Sequence, residues 1–268
     1  MQIRRAAPVP PNLLSDIARV LHAPVRKMFA AFGFDLQYFG RIPQLVPDRA
    51  AYQPRFRPWL LPQWQSRFAP TRGLTMVSDD RLYVLASLLG QALATCPGDV
   101  AECGVYRGGT ARLLLDTMRT ARTQRRLFLC DTFAGLPETD PAADVHATGD
   151  FGNTSQTRVR AQFADADDVE LVSGVIPESL APLADRRFCF VHVDLDLHAS
   201  VLGAVRFFYE RVSPGGFLVF DDYGFSSTPG ARRALDEFIA GKHEAPLVLA
   251  TGQCVVFKAL TFAQPQSG

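Results

Sequence analysis

The sequence predicts an α/β fold: a doubly wound, mainly parallel sheet of seven strands, with a C-terminal antiparallel hairpin and a helical and extended N-terminal arm. Three observations predict it. From about Leu74 onward, apolar strand-like runs alternate with helix-period runs. Five such βα units follow one another with no internal repeat. The last two runs, "PLVLA" and "QCVVF", face each other across Thr251-Gly252, a hairpin signal.

The chain divides into an arm over 1–75 and a sheet domain over 76–268. In the arm, Leu13, Leu14, Ile17, Val20, Leu21, Val25 and Phe29 recur at helical spacing, interrupted by Pro24. Such a helix packs on its own domain or on another subunit more often than on a membrane. From Gln37 to Pro70 the chain reads as an extended, Pro-punctuated segment anchored by Trp59 and Trp64. Asp79 is placed to cap a helix with Leu82, Leu85, Leu88, Leu89 and Leu93 on its apolar face, ended by Pro97-Gly98. The strands are then "DVAECG", "LFLCD", "VELVSG", "RFCFVHVD" and "FLVFDD", the last entered by a turn at Pro214-Gly215-Gly216. The helices between them are "TARLLLDTMR", "SQTRVRAQF", the short "PESLAPL", "ASVLGAVRFFYERV" and "GARRALDEFI".

Bulk composition narrows the function. The 268 residues carry a net charge of +1 and no basic stripe, which argues against nucleic acid or an anionic membrane as partner. No apolar stretch is long enough to span a bilayer, and the N-terminus lacks the apolar run of a signal peptide, so a cytoplasmic location is expected. The five cysteines, Cys96, Cys103, Cys130, Cys189 and Cys254, are odd in number and far apart, which reads as free, buried thiols.

Ligands of an open parallel sheet bind beyond the carboxyl ends of its strands, so the residues there carry the chemistry. After the first strand comes "ECGVYRGGT". Gly104, Gly108 and Gly109 permit close backbone approach before a helix, and Val105, Tyr106, Arg107 and Thr110 complete a cofactor loop by position. The spacing is not the Gly-x-Gly-x-x-Gly of a pyrophosphate site, which argues against NAD. Glu102, just inside the strand, suits a cationic group such as the ammonium of S-adenosylmethionine. After the second strand stands Asp131, about 20 to 30 residues beyond the glycines, the usual place for a carboxylate that accepts ribose hydroxyls. Thr132 and Phe133 lie beside it. Ser173 and Gly174, after the third strand, lie where an adenine edge could be held.

After the fourth strand comes "HVDLDLH", with Asp194 and Asp196, and after the fifth "DDY", with Asp221 and Asp222. Asp194 and Asp221 are 27 positions apart, one βαβ unit, which sets them on neighbouring strands. Carboxylates gathered in one cleft repel one another unless compensated, and a hard cation with oxygen ligands, Mg²⁺ by default, is the economical answer. Such an ion lowers the pKa of a coordinated hydroxyl while a nearby carboxylate takes the proton. His192 reads as a satisfied core histidine. His198 reads either as a general base or substrate contact at the mouth of the site, or as a first-turn helix residue without a role.

Taken together, "ECGVYRGGTA", "DTFAGLP", "VDLDLHAS", "SPGGFLVFDDYG" and "GARRALDEF" resemble the macrocin O-methyltransferase family over roughly residues 74–258. The resemblance implies a class I methyltransferase fold, S-adenosylmethionine as donor, Mg²⁺ held by Asp194, Asp221 and Asp222, and Asp194 as general base. The acceptor it implies is a small-molecule hydroxyl, on a sugar of a glycosylated natural product. It further implies a homo-oligomer in which N-terminal segments help close the active site. "GLTMVSDDRL" resembles the family's lead-in to the domain, so Thr75 and Met76 are expected to face cofactor or acceptor. The family usually has Tyr where this chain has His198 and Gly where it has Leu195, both beside the acceptor. Two other readings compete: a nucleotide-dependent oxidoreductase, disfavoured by the glycine spacing and the hairpin, and a non-catalytic binding module, disfavoured by the intact aspartate cluster.

Overall fold

Residues 56–260 are described by the computed structural model; the helix read over Leu13–Phe29 and the arm up to Arg55 lie outside them. The sheet carries seven strands: β1 (Asp99–Cys103), β2 (Leu127–Asp131), β3 (Val169–Ser173), β4 (Phe188–Val193), β5 (Val212–Phe220), β6 (Leu247–Val248) and β7 (Cys254–Phe257). Their order is β3-β2-β1-β4-β5-β7-β6. The first five run parallel, while β7 is antiparallel to both β5 and β6. The doubly wound sheet and its closing hairpin are as the sequence predicts.

Alternation along the strands sorts side chains between two helical layers, because successive residues point to opposite faces. On one face Leu127, Leu129, Phe190 and Val219 meet the helices α2 (Asp79–Thr95) and α3 (Gly109–Thr120). On the other, Phe128, Cys130, Phe188 and Val191 meet α5 (His198–Tyr209) and α6 (Pro229–Ile239). All six residues of β4 are buried, as befits a central strand covered on both faces. The short α4 (Gln156–Gln162) starts at Ser155, whose side chain accepts the Arg158 N–H. All five cysteines are free and buried. Among the described residues no helix is long and apolar enough to cross a membrane.

Four local readings change. First, the segment read as an irregular arm up to Pro70 contains a helix, α1 (Pro62–Phe68), flanked by 3-10 turns at Pro58–Leu60 and Ala69–Thr71. Proline punctuates these pieces without breaking them, because at the first helical positions there is no intrahelical N–H to lose. Trp59 and Trp64 do act as anchors: Trp64 meets Tyr83 of α2 edge-on at 4.7 Å, and Phe68 is fully buried in the core. The compact unit therefore begins at Phe56, ahead of the boundary read at residue 76. Second, the α2 cap is Ser78, not Asp79. Asp79 lies in the first turn, where a carboxylate is favoured, and takes the Arg72 guanidinium at 2.6 and 2.8 Å. Third, β5 starts at Val212, so Pro214-Gly215-Gly216 lies within the strand; the Gly215 and Lys258 amides bond across it to Lys258 and Gly216 carbonyls. Fourth, "PESLAPL" forms a 3-10 helix, Glu178–Leu183, with Pro182 inside it.

Phe68→Ala should therefore destabilise the whole sheet domain, by about 3 kcal/mol for a buried aromatic truncated to alanine. Urea unfolding would show this as a single shifted transition; an unchanged midpoint would mean that α1 is not part of the cooperative unit.

Candidate active site

The sheet order puts β1 beside β4, the point where the connections diverge to opposite faces and where a crevice opens beyond the strand ends. Gly104 makes that crevice possible. It adopts φ +88, and a Cβ there would lie 1.6 Å from the carbonyl oxygen of Asp194. Its N–H donates to Cys130 O at 2.9 Å, and the Asp194 N–H donates to Cys103 O at 2.8 Å, so three strand ends are drawn together. Gly109, the first residue of α3, is equally constrained: a Cβ would meet the Leu74 carbonyl carbon at 2.6 Å, while its N–H bonds to Leu74 O. Residues 74–77 are thereby strapped to the glycine loop, and Thr75 Oγ1 meets Thr110 Oγ1 at 2.9 Å.

A cavity of about 270 Å³ lies over these strand ends. Asp131 shapes the end beyond β2. One carboxylate oxygen accepts the N–H groups of Val105 (2.6 Å) and Tyr106 (3.0 Å), and the other accepts that of Phe133 (2.6 Å). Thr132 Oγ1 also lies 3.4 Å from the second oxygen, but its single hydrogen goes to Gly135 O at 2.6 Å, so of the carboxylate's roughly four acceptor sites one remains for a ligand hydroxyl. Of the positions predicted for a cofactor, Met76, Gly104, Val105, Tyr106, Thr110, Asp131, Thr132, Gly174 and Asp194 line the cavity. The others do not. Arg107 turns to the Asn153 carbonyl. Gly108 and Gly109 form the helix start, Phe133 is buried in the core, and Ser173 points to solvent beside the lining Gly174.

Glu102 is a correction. It is fully buried, and its carboxylate faces His192 Nδ1 at 3.1 Å instead of an ammonium in the cavity. Burial first, then the nearby charges of Asp131 and Asp221, raise its pKa against the opposing pull of His192. His192 Nε2 lies 3.6 Å from Asp221 Oδ1, so a buried imidazole sits between two carboxylates. Burial opposes its charge, but Asp221 and Glu102 outweigh that and hold its pKa at about 10. His192 is thus a core histidine, as expected, but a charged one, with Nε2 lacking a hydrogen-bond partner.

The acidic cluster assembles at the adjacent β4 and β5 ends. Ligand atoms of Asp194, Asp221 and His192 lie within 4.8 Å of one another. Held between Glu102 and Asp221, His192 is placed as their counter-charge, which leaves the carboxylates as the oxygen donors that a cation would meet. Asp222 lines the cavity, and one of its oxygens accepts the Asp196 N–H at 3.0 Å. Burial, then Asp221 and Asp222, push Asp194 well above the usual carboxylate range. Burial, then Asp222, bring Asp196 to about 8. Burial, then Asp221, bring Asp222 to about 6. Asp221 differs: despite its burial, His192, Arg81 and Gln253 keep its pKa low. Asp194 and Asp222 enter no ion pair among the described residues. An oxygen-only donor set short of positive charge fits a hard divalent cation.

Of the two readings of His198, the position favours the first-turn helix residue over the general base. It is the first residue of α5, its imidazole faces Glu237 at 3.0 Å, and it does not line the cavity. The histidine that does is His146, 3.3 Å from Asp150 and 3.8 Å from Asp196, with its ring against Phe151. It comes from a loop without regular structure and carried no periodic or motif signal. Arg81, from α2, also lines the cavity and pairs with Asp221. Its helix was legible, but nothing in the helical pattern ties it to a strand end 140 positions away.

The seven-stranded order, with its reversed hairpin and a ligand crevice at the β1/β4 switch, is that of a class I methyltransferase. A solved O-methyltransferase, NovP, superposes with a TM-score of 0.62 at 25% identity, covering 69% of this chain and 82% of that one. The calicheamicin methyltransferase CalS11 shares the fold at a TM-score of 0.57 and 17% identity, covering 82% of this chain and 99% of that one.

The model of the macrocin O-methyltransferase (TylF) family matches residues 50–259, and the chain belongs to that family. It is 31% identical to the 8-demethyl-8-(2,3-dimethoxy-alpha-L-rhamnosyl)-tetracenomycin-C 4'-O-methyltransferase of Streptomyces olivaceus, over 62% of this chain and 69% of that one. It is 26% identical to the demethyldecarbamoylnovobiocin O-methyltransferase of Streptomyces niveus, over 66% of this chain and 71% of that one. The chain is thus an O-methyltransferase, and the oxidoreductase and non-catalytic readings fall away.

Proposed function

We propose that this enzyme transfers a methyl group from S-adenosylmethionine to a sugar hydroxyl of a glycosylated small molecule, with Mg²⁺ held by Asp194, Asp221 and Asp222. The observation that carries the reading is the placing of Asp194: it lines the same cavity as the Gly104 cradle while its carboxylate sits beside that of Asp221. Donor and acceptor ends are then separated by one side chain. The substrate class rests on the relatives, one of which is named for a rhamnosyl-bearing acceptor.

Each residue has a definite task in this reading. Gly104, Val105 and Tyr106 supply a backbone wall that only a side-chain-free strand end permits, and Asp131 offers its remaining acceptor site to a ribose hydroxyl. Asp194 accepts the proton of the acceptor hydroxyl. Met76, Phe225 and His146 line the acceptor end and limit water. When bound, Mg²⁺ lowers the pKa of a hydroxyl and fixes its direction. The rest is alignment of oxygen, methyl carbon and sulfur for an in-line displacement.

A thermal-shift series with S-adenosylhomocysteine and NAD tests the donor. S-adenosylhomocysteine at a hundredfold excess over its Kd should stabilise the fold by about 2.7 kcal/mol, and NAD should do nothing. Stabilisation by NAD alone would sink the donor assignment. EDTA should stop turnover, and full activity in chelator would remove the metal from the mechanism.

A further inference from the structure

We propose that Arg81 is a built-in counter-ion on Asp221 that a divalent cation must displace in order to bind there, so that metal occupancy is coupled to the cavity wall at Thr75–Ser78. The inference rests on the metal reading above.

Asp221 has no exposed surface, and both of its oxygens are taken. Oδ1 accepts the Gln253 side-chain amide at 2.8 Å, and Oδ2 holds the Arg81 guanidinium. Asp221 does not itself line the cavity, whereas Arg81 does. The guanidinium therefore lies on the cavity side of the very carboxylate that a cation would need. A dication and a guanidinium cannot share one buried carboxylate without strong repulsion. Three groups face Asp221, because His192 Nε2 also lies 3.6 Å from Oδ1 on the core side, and the one able to give way follows from their settings: His192 is fully buried and held by Glu102. Gln253 is neutral and fully buried beside the hairpin. Arg81 has a long flexible stem and an open cavity before it.

The same guanidinium also holds the wall. It donates to Met76 O at 3.0 Å, its Nε donates to Ser78 Oγ at 3.0 Å, and it lies 5.0 Å from the Phe225 ring centroid. Met76 is 65% exposed, so little else fixes it. Thr75, one residue earlier, bonds to Thr110 of the glycine-loop helix. Withdrawal of Arg81 from Asp221 thus loosens its hold on Met76 and Ser78, while Thr75 stays bonded to Thr110 and Val77 stays buried in the core.

The test is calorimetric titration of Mg²⁺ alone into the full chain, with hydrogen exchange at the amides of residues 76–78. Arg81→Met keeps the stem and removes the charge; it should bind Mg²⁺ on the order of tenfold more tightly than the natural enzyme, with Arg81→Lys between the two. Mg²⁺ should speed exchange at 76–78 in the natural enzyme and leave it unchanged in Arg81→Met. Equal or weaker Mg²⁺ binding by Arg81→Met, with the natural enzyme binding normally, overturns the exchange of cations alone. Absence of Mg²⁺ binding in both overturns the metal reading and this inference with it. If Arg81→Met fails to fold, the natural enzyme still decides: exchange at 76–78 that ignores Mg²⁺ overturns the coupling.

Discussion

Asp221→Asn should lower methyl transfer about a thousandfold while binding of S-adenosylhomocysteine stays within about threefold. The size follows from the metal-holding role proposed for the carboxylate. A metal-held oxygen contributes several kcal/mol to the transition state, and about 4 kcal/mol is a factor of a thousand in rate. The selectivity follows from position. Asp221 lies at the end of β5, whereas the residues assigned to the donor, Gly104 to Tyr106 and Asp131, lie at the ends of β1 and β2, with β4 between. The amide keeps the shape and can still accept from Gln253. It cannot match the charges of His192 and Arg81, so some stability is lost as well. Turnover by product formation and affinity by calorimetry separate the two effects. Loss of both functions, or of neither, would sink the assignment of Asp221 to the metal.

The parts of this site that the sequence disclosed are those whose function depends on position along a strand. Asp131, Asp194 and Asp221 each follow a buried apolar run, and the end of a parallel strand is where a ligand is met. The 27-residue spacing of Asp194 and Asp221 placed them side by side because one βαβ unit has that length. The same logic misled at Glu102. One residue further inside the strand, a side chain points into the core, where it needs a buried partner more than a ligand. At His198 it left two readings open, and only the first turn of α5, which aims that ring at Glu237 on α6, separates them. His146 and Arg81 were not legible at all. One sits on a loop, the other on a helix face, and both reach the site only through tertiary packing. The helix α1 was missed for a related reason: its prolines read as breakers, although at a helix start they are tolerated.

Gly104→Ala should abolish the native fold or reduce its stability by about 4 kcal/mol or more, a large part of the usual 5–15 kcal/mol. Two penalties meet at this residue. A φ of +88 disfavours any Cβ, which by itself costs about 1–2 kcal/mol. The new atom would also fall 1.6 Å from the Asp194 carbonyl oxygen and 2.6 Å from its carbon. Both are backbone atoms of the neighbouring strand, so no rotamer change relieves them; β1 and β4 would have to part. Gly149 provides the control, because it has the same φ of +88 but nothing within 4 Å of its would-be Cβ. Gly149→Ala should lose only the conformational 1–2 kcal/mol. Urea unfolding of both variants would decide, and equal losses would show that the backbone angle, not the strand contact, governs Gly104. A folded remnant of Gly104→Ala is informative too. Any parting of β1 from β4 moves Asp194 away from the donor loop, so such a protein should keep its secondary structure and lose methyl transfer, which ties the geometry of one glycine to the meeting of donor and acceptor.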